Sequence, residues 1–238
     1  MSEFLRRIRN RKNEEVEIIE TVEEQEDLLL PVINENQDLQ SQYDQIMFFY
    51  ESGINQITAK LQILNNEFMF SNDRNPIENI KSRVKSLESI TNKMVSKGIP
   101  LTMNYMVKNL HDIAGVRVIC PFISDVYNVA NMLVNQGDVV VMKIKDYIKK
   151  PKPNGYRSLH MIVMVDVYFS DHKSQVPVEI QIRTIAMNSW ASLEHQLRYK
   201  KNREFTDDMK KELKVCSELM SEADLRMQEL AKKIPSFE

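Results

Sequence analysis

Between residues 38 and 69 the apolar positions Leu39, Tyr43, Ile46, Met47 and Tyr50 return at three- and four-residue steps, which places them on one face of a helix. Gly53 falls inside the stretch and counts against a single unbroken helix. Asn75 and Pro76 close a turn, and a second helix is predicted over 77–96, stopped at Gly98-Ile99-Pro100. After one more short helix the period changes. Residues 114–120 are rich in β-branched side chains and end at Pro121, so they read as a strand. A helix is predicted over 125–134, and strands over 139–146, 159–169 and 176–183, with Pro177 tolerated near the start of the last. Residues 185–200 and 207–232 return to helical spacing, with Trp190, Leu193 and Leu197 as an apolar stripe expected in the core. The short loops at 146–159 and 170–175 favour antiparallel pairing. The order predicts an α+β fold: a mixed, largely antiparallel sheet flanked by helices. Three segments follow: a helical region over 1–74, a central domain over 75–200 and a helical extension over 201–238.

Charge changes this picture more than composition does. Residues 13–70 hold 13 Asp or Glu and one Lys, whereas residues 71–238 hold 26 Lys or Arg and 20 Asp or Glu. Between residues 143 and 160 six cations stand against one acid, Asp146. Such a patch suits phosphate, but equally RNA, a membrane surface or a solvated loop. Residues 1–12 are basic and expected to fray, and 13–30 are acidic, with Pro31 an interruption. No apolar run is long enough to span a bilayer. No secretory signal is evident. The two cysteines, Cys120 and Cys216, lie far apart with no zinc or redox spacing and are expected as buried thiols of a reducing compartment. The expected location is the cytoplasm.

Four groups of residues can carry chemistry. On the predicted second helix, Lys85, Ser89 and Lys93 are successive i,i+4 neighbours and Arg83 begins an adjacent line. They form either a phosphate-binding row or a solvated face. Asp112 precedes one strand, and Glu179, Gln181 and Arg183 share one face of another because the strand period is two. Asp112 and Glu179 are either a pair of surface acids or carboxylates able to hold Mg²⁺ with phosphates and water. His111 beside Asp112 does not make a metal-dependent phosphohydrolase, because further ligand histidines are missing upstream. The loop 146–160 combines lysines for phosphate, Tyr156 for stacking on a base, and His160 on the face of the following strand. Glu194 and His195 can face the same cleft or a salt-bridged surface. Neither a P-loop nor a Rossmann glycine fingerprint is present.

Taken together, Arg83-Val84-Lys85 with Ser89 and Lys93, Asp112 through Arg117, Asp146-Tyr147 through His160, Glu179 through Thr184, and Asn188 through His195 resemble the synthetase domain of the RelA/SpoT family. The order and spacing match over roughly residues 75–200, as in that family's small alarmone synthetases. The resemblance implies a nucleotidyltransferase-like sheet and transfer of pyrophosphate from ATP to the 3′-hydroxyl of GDP or GTP. It implies that Asp112 and Glu179 hold Mg²⁺, with Glu179 also orienting or deprotonating the hydroxyl. Arg83, Lys85, Arg117, Ser89 and Lys93 would serve ATP. Lys150, Lys152, Tyr156, His160 and Asn188 would serve GDP or GTP, with Gln181 and Arg183 organising the site. It also implies a homotetramer, no hydrolase activity and no obligatory ribosome contact. An adenosine nucleotide or tRNA 3′ end as acceptor, or a non-catalytic nucleotide- or RNA-binding protein, are the competing readings.

Overall fold

The computed structural model describes residues 38–71, 74–199 and 206–234. The charged segments 1–12 and 13–30 lie outside the described residues. In chain order the elements are α1 (Leu39–Ser71), β1 (Asn79–Val84), α2 (Leu87–Ser96), α3 (Met103–Asn109), β2 (Ala114–Cys120), α4 (Ile123–Val134), β3 (Val139–Asp146), β4 (Leu159–Tyr168), β5 (Lys173–Thr184), α5 (Ile185–Tyr199) and α6 (Asp207–Ala231). The five strands form one sheet in the order β1-β2-β5-β4-β3. All neighbours pair antiparallel except β2 and β5, which run parallel. The α+β class and the largely antiparallel sheet therefore stand, with one parallel pair in the middle.

Alternation along the central strands divides the sheet into two unlike faces. On one, Val116 and Val118 of β2, Met161, Val163 and Val165 of β4, and Val178, Ile180 and Ile182 of β5 are buried. They share a single cluster with Ile46, Tyr50, Ile57 and Leu61 of α1 and with Val126, Val129, Ala130 and Leu133 of α4. Each buried Val, Ile, Leu or Met among them stabilises the fold by roughly 1.5–3 kcal/mol. The other face carries the polar alternates of the same strands and holds the candidate site.

Two expectations about helices are corrected. α1 is one unbroken helix of 33 residues. Gly53 is tolerated inside it because the helix lies flush on β5. A Cβ at that position would stand 2.4 Å from Val176 Cγ1. The predicted helix over 77–96 is a strand followed by a helix. Asn79–Val84 pairs with β2 as an edge strand, and Ser86 then caps α2 by accepting from Ser89 N–H. Ile80 and Val84 satisfy a helical step and a strand step alike, and pairing with β2 decides between them.

Burial also departs from expectation in three places. Cys120 is buried, but Cys216 is exposed. Trp190 is buried, whereas Leu193 and Leu197 of the same stripe are about half exposed, at 49% and 55%. On α6 the buried stripe is Ser217, Asp224 and Ala231, seven residues apart, while Leu219, Met227 and Leu230 face outward. Among the described residues no helix is long and apolar enough to cross a membrane.

Candidate active site

Strand register sets out the polar face in rows. Arg83 of β1 lies opposite Gly115 of β2, which lies opposite Glu179 of β5, which lies opposite Ile162 of β4 and, beyond it, Lys143 of β3. One step along, the row reads Lys81, Arg117, Gln181, His160 and Lys145. Two carboxylates thus meet a field of cations, Glu179 in the centre of the sheet and Asp112 just before β2.

Asp112 anchors one end. Lys85 Nζ, just after β1, and Lys93 Nζ, on α2, each donate to Asp112 Oδ2 at 2.5 Å. Lys85 therefore reaches Lys93 by convergence on one oxygen, not along a helical line with it. Burial pushes the Asp112 carboxyl up, but hydrogen bonds and charge from the two lysines outweigh this and hold it below its ordinary value of 3.8. The other oxygen, Oδ1, is buried with no partner among the described residues. Ser89 is not drawn into this group, because its hydroxyl accepts from Ser86 Oγ at the exposed start of α2.

Glu179 belongs to a closed ring of side chains. Arg183 donates to the Tyr156 hydroxyl at 2.6 Å and to Gln181 Oε1 at 2.8 Å. Gln181 Nε2 donates to Glu179 Oε2 at 2.8 Å. The Tyr156 hydroxyl meets His160 Nε2 at 2.7 Å, and His160 Nδ1 meets Glu179 Oε1 at 3.1 Å. With the imidazole proton on Nδ1, every bond runs from Arg183 towards Glu179 along two routes, one through the amide and one through the phenol and imidazole. Burial pushes the Glu179 carboxyl up. The bonds from His160 and Gln181 outweigh it and hold the group below its ordinary value of 4.5.

Beside this ring the positive charges crowd. Burial, together with the charges of Arg183 and Arg83, lowers the Arg117 guanidinium pKa, although an arginine stays charged throughout. Arg117 Nε and Arg183 Nε are buried and have no partner among the described residues. Neighbouring cations with orphaned donors suit an anion bound between them.

The loop after β3 brings the third group. Asp146 shapes it by accepting from the backbone N–H of Ile148 and Lys149, each at 3.0 Å. Lys152 N–H donates to the Tyr156 carbonyl at 3.1 Å, and Gly155 N–H returns to the Lys152 carbonyl at 2.8 Å. Gly155 takes φ +92°, a conformation that favours glycine. The turn places Lys152 Nζ 4.8 Å from the ring centres of both Tyr147 and Tyr156. Lys150 is exposed in the same turn and joins none of these groups. Asn188, on the first turn of α5, has a buried carbonyl oxygen with no partner among the described residues.

Two residues of this face stood in the sequence only as members of longer segments and received no role there. Tyr147 stands edge-on to His160 at 5.2 Å and to Tyr156 at 6.0 Å, measured between ring centres. Lys145 lies opposite His160 across the β3–β4 pair. Lys145 could have been found from its two-residue spacing with Lys143, whereas nothing in the sequence singles out Tyr147's ring geometry.

For Mg²⁺ the donor set fits. The orphaned Asp112 oxygen is a hard, anionic ligand, and Asp112 is close enough to Glu179 for its charge to raise the proton affinity of that carboxylate. Among the described residues there is no group of three or more metal-binding side chains, so nucleotide oxygens and water would complete the shell.

Comparison with known proteins agrees with this geometry. A family model described as a region found in RelA/SpoT proteins matches residues 82–204. The chain is 45% identical to the GTP pyrophosphokinase YwaC of Bacillus subtilis over 79% of this chain and 90% of that one. It is 35% identical to the GTP pyrophosphokinase YjbM of the same organism, over 79% and 88%. Among solved structures it resembles small alarmone synthetase 1 from B. subtilis bound to its product pppGpp. That match has a TM-score of 0.76 at 34% identity and covers 82% of this chain and 99% of that chain. Small alarmone synthetase 2 from B. subtilis matches with a TM-score of 0.73 at 44% identity, over 81% and 99%.

Proposed function

The chain belongs to the RelA/SpoT family, and on that premise we infer that it is a GTP pyrophosphokinase. It moves the β,γ-pyrophosphate of ATP onto the 3′-hydroxyl of GDP or GTP, giving ppGpp or pppGpp and AMP. The observation that carries the reading is the position of Glu179, between the cations gathered around Asp112 and the Tyr156 loop.

In this reading Lys85, Lys93, Arg83 and Arg117 hold the donor polyphosphate, and Lys152 with Tyr156 holds the acceptor. The oxygen of the 3′-hydroxyl bonds to the β-phosphorus while the α–β bridging bond breaks, and AMP leaves with that electron pair. The proton of the hydroxyl passes to Glu179 Oε1 or Oε2. Arg183 and Gln181 fix the carboxylate, so little reorganisation is needed when the acceptor arrives. Asp112 and Glu179 would hold Mg²⁺, which supplies positive charge to the polyphosphate. Mixing the protein with Mg²⁺, labelled ATP and separate GDP, GTP, GMP, ATP or tRNA acceptors tests the reading. Label should move only to GDP and GTP with AMP as the second product, and EDTA should stop it. Release of ADP, or transfer to tRNA, would count against it.

Assembly is a further part of this reading. The family resemblance favours a homotetramer, and the exposed apolar residues of α6, among them Leu219, Met227 and Leu230, offer a surface to bury. Light scattering should give a mass near four times 27.9 kDa. A fully active monomer at all concentrations would exclude it.

A further inference from the structure

α6 begins beyond the stretch matched by the family model and carries none of the residues assigned above. Its buried stripe nevertheless ends on three segments of the acceptor half. Ser217 Oγ donates to the Gly155 carbonyl at 2.5 Å, at the tip of the turn that joins Lys152 to Tyr156. The fit there is tight, since a Cβ on Gly155 would stand 2.7 Å from Ser217 Cβ. Asp224 accepts from Thr184 Oγ1 at 2.5 Å. Thr184 is the last residue of β5, next to Arg183, and its hydroxyl also accepts from Met187 N–H at 3.1 Å, the residue before Asn188. The Leu213 carbonyl accepts from Trp190 Nε1 at 2.8 Å. Among the described residues, no hydrogen bond from α6 reaches Arg83, Lys85, Lys93 or Asp112.

We propose that Ser217 and Asp224 are positioning residues of the acceptor site, through which the docking of α6 governs affinity for GDP or GTP and leaves affinity for ATP unchanged. Ser217 fixes the height of the Lys152–Tyr156 turn above the sheet. Asp224 fixes the passage from β5 to α5, and so the relative placement of Arg183 and Asn188. Both side chains are buried, at 4% and 8% exposure, so water cannot replace the bonds they make without the helix moving.

The inference rests on the assignment of the acceptor to the Tyr156 loop, and the test separates the two. Steady-state kinetics on the full chain should show KM for GDP or GTP raised about three- to ten-fold in Ser217→Ala, the effect of one buried hydrogen bond. KM for ATP and kcat should stay within about two-fold, since a change confined to KM reports lost binding and not a lost transition-state contact. Asp224→Asn keeps an acceptor oxygen but loses the charge, and should show the same bias more weakly. Tyr156→Ala is measured beside them. If it fails to discriminate between the nucleotides, the loop assignment itself has failed. If it discriminates, but Ser217→Ala and Asp224→Asn raise both KM values equally, lower kcat alone or change nothing, α6 is only a structural cover and the proposal is overturned.

Discussion

Glu179→Gln is expected to lower kcat by about 10²- to 10⁴-fold, the range for removing a positioned general base. The substitution keeps the size of the side chain but removes both its charge and its capacity to take a proton. It also sets an amide against two donors. Gln181 Nε2 and His160 Nδ1 now both point at acceptors, and one of them must face an NH₂ instead. Asp112→Asn should be comparably damaging for a different reason: Lys85 and Lys93 lose the anion on which they converge and separate by mutual repulsion. Both variants should remain folded, as circular dichroism and thermal melting would show, because neither residue lies in the apolar cluster. Near-normal product formation by either would remove it from the reaction. Because both carboxyls are held below their ordinary values of 3.8 and 4.5, they stay ionised through neutral pH. Their contribution to stability is present above those values and is lost only as pH falls below them.

Tyr156→Ala should weaken GDP or GTP by about 5- to 150-fold, the equivalent of roughly 1–3 kcal/mol for one stacked base, and leave ATP nearly unchanged. Tyr156→Phe divides this effect. It keeps the ring beneath Lys152 but removes the hydroxyl that joins Arg183 to His160. Acceptor affinity should therefore recover most of the loss, while kcat remains reduced because one of the two routes from Arg183 to Glu179 is cut. Lys85→Ala should show the opposite bias and weaken ATP more than the acceptor. Separate titrations of the two nucleotides check all three variants. An equal loss for both nucleotides in Tyr156→Ala would place the ring outside the acceptor site.

The extent to which this site can be read from sequence follows from the range of each interaction. β2 is legible to the residue, because a β-branched run ends at a proline. The shared face of Glu179, Gln181 and Arg183 is equally legible, since period-two alternation is a local property. β1 is not, because its apolar spacing fits two structures and only the distant β2 chooses between them. The parallel pairing of β2 with β5 is non-local in the same sense, and it is what sets Gly115 beside Glu179. The ring through Tyr156 and His160 depends on a loop folding back over the sheet, so its members are visible singly but not as a circuit. Ser217 is the extreme case. Nothing in an amphipathic helix pattern marks a serine 62 positions from Gly155 as its partner.

The two ends of the sheet show a different consequence of the same cations. An exposed strand edge offers unpaired N–H and C=O groups to any other chain, and charged side chains are a common defence against such pairing. β1 and β3 are the edges here, and exposed Lys81 and Arg83 stand on one while exposed Lys143 and Lys145 stand on the other. Residues suited to polyphosphate therefore also guard the sheet against growing by strand addition. Neutral substitutions among them would strip the charge from both borders of the sheet, and solubility would fall along with nucleotide affinity.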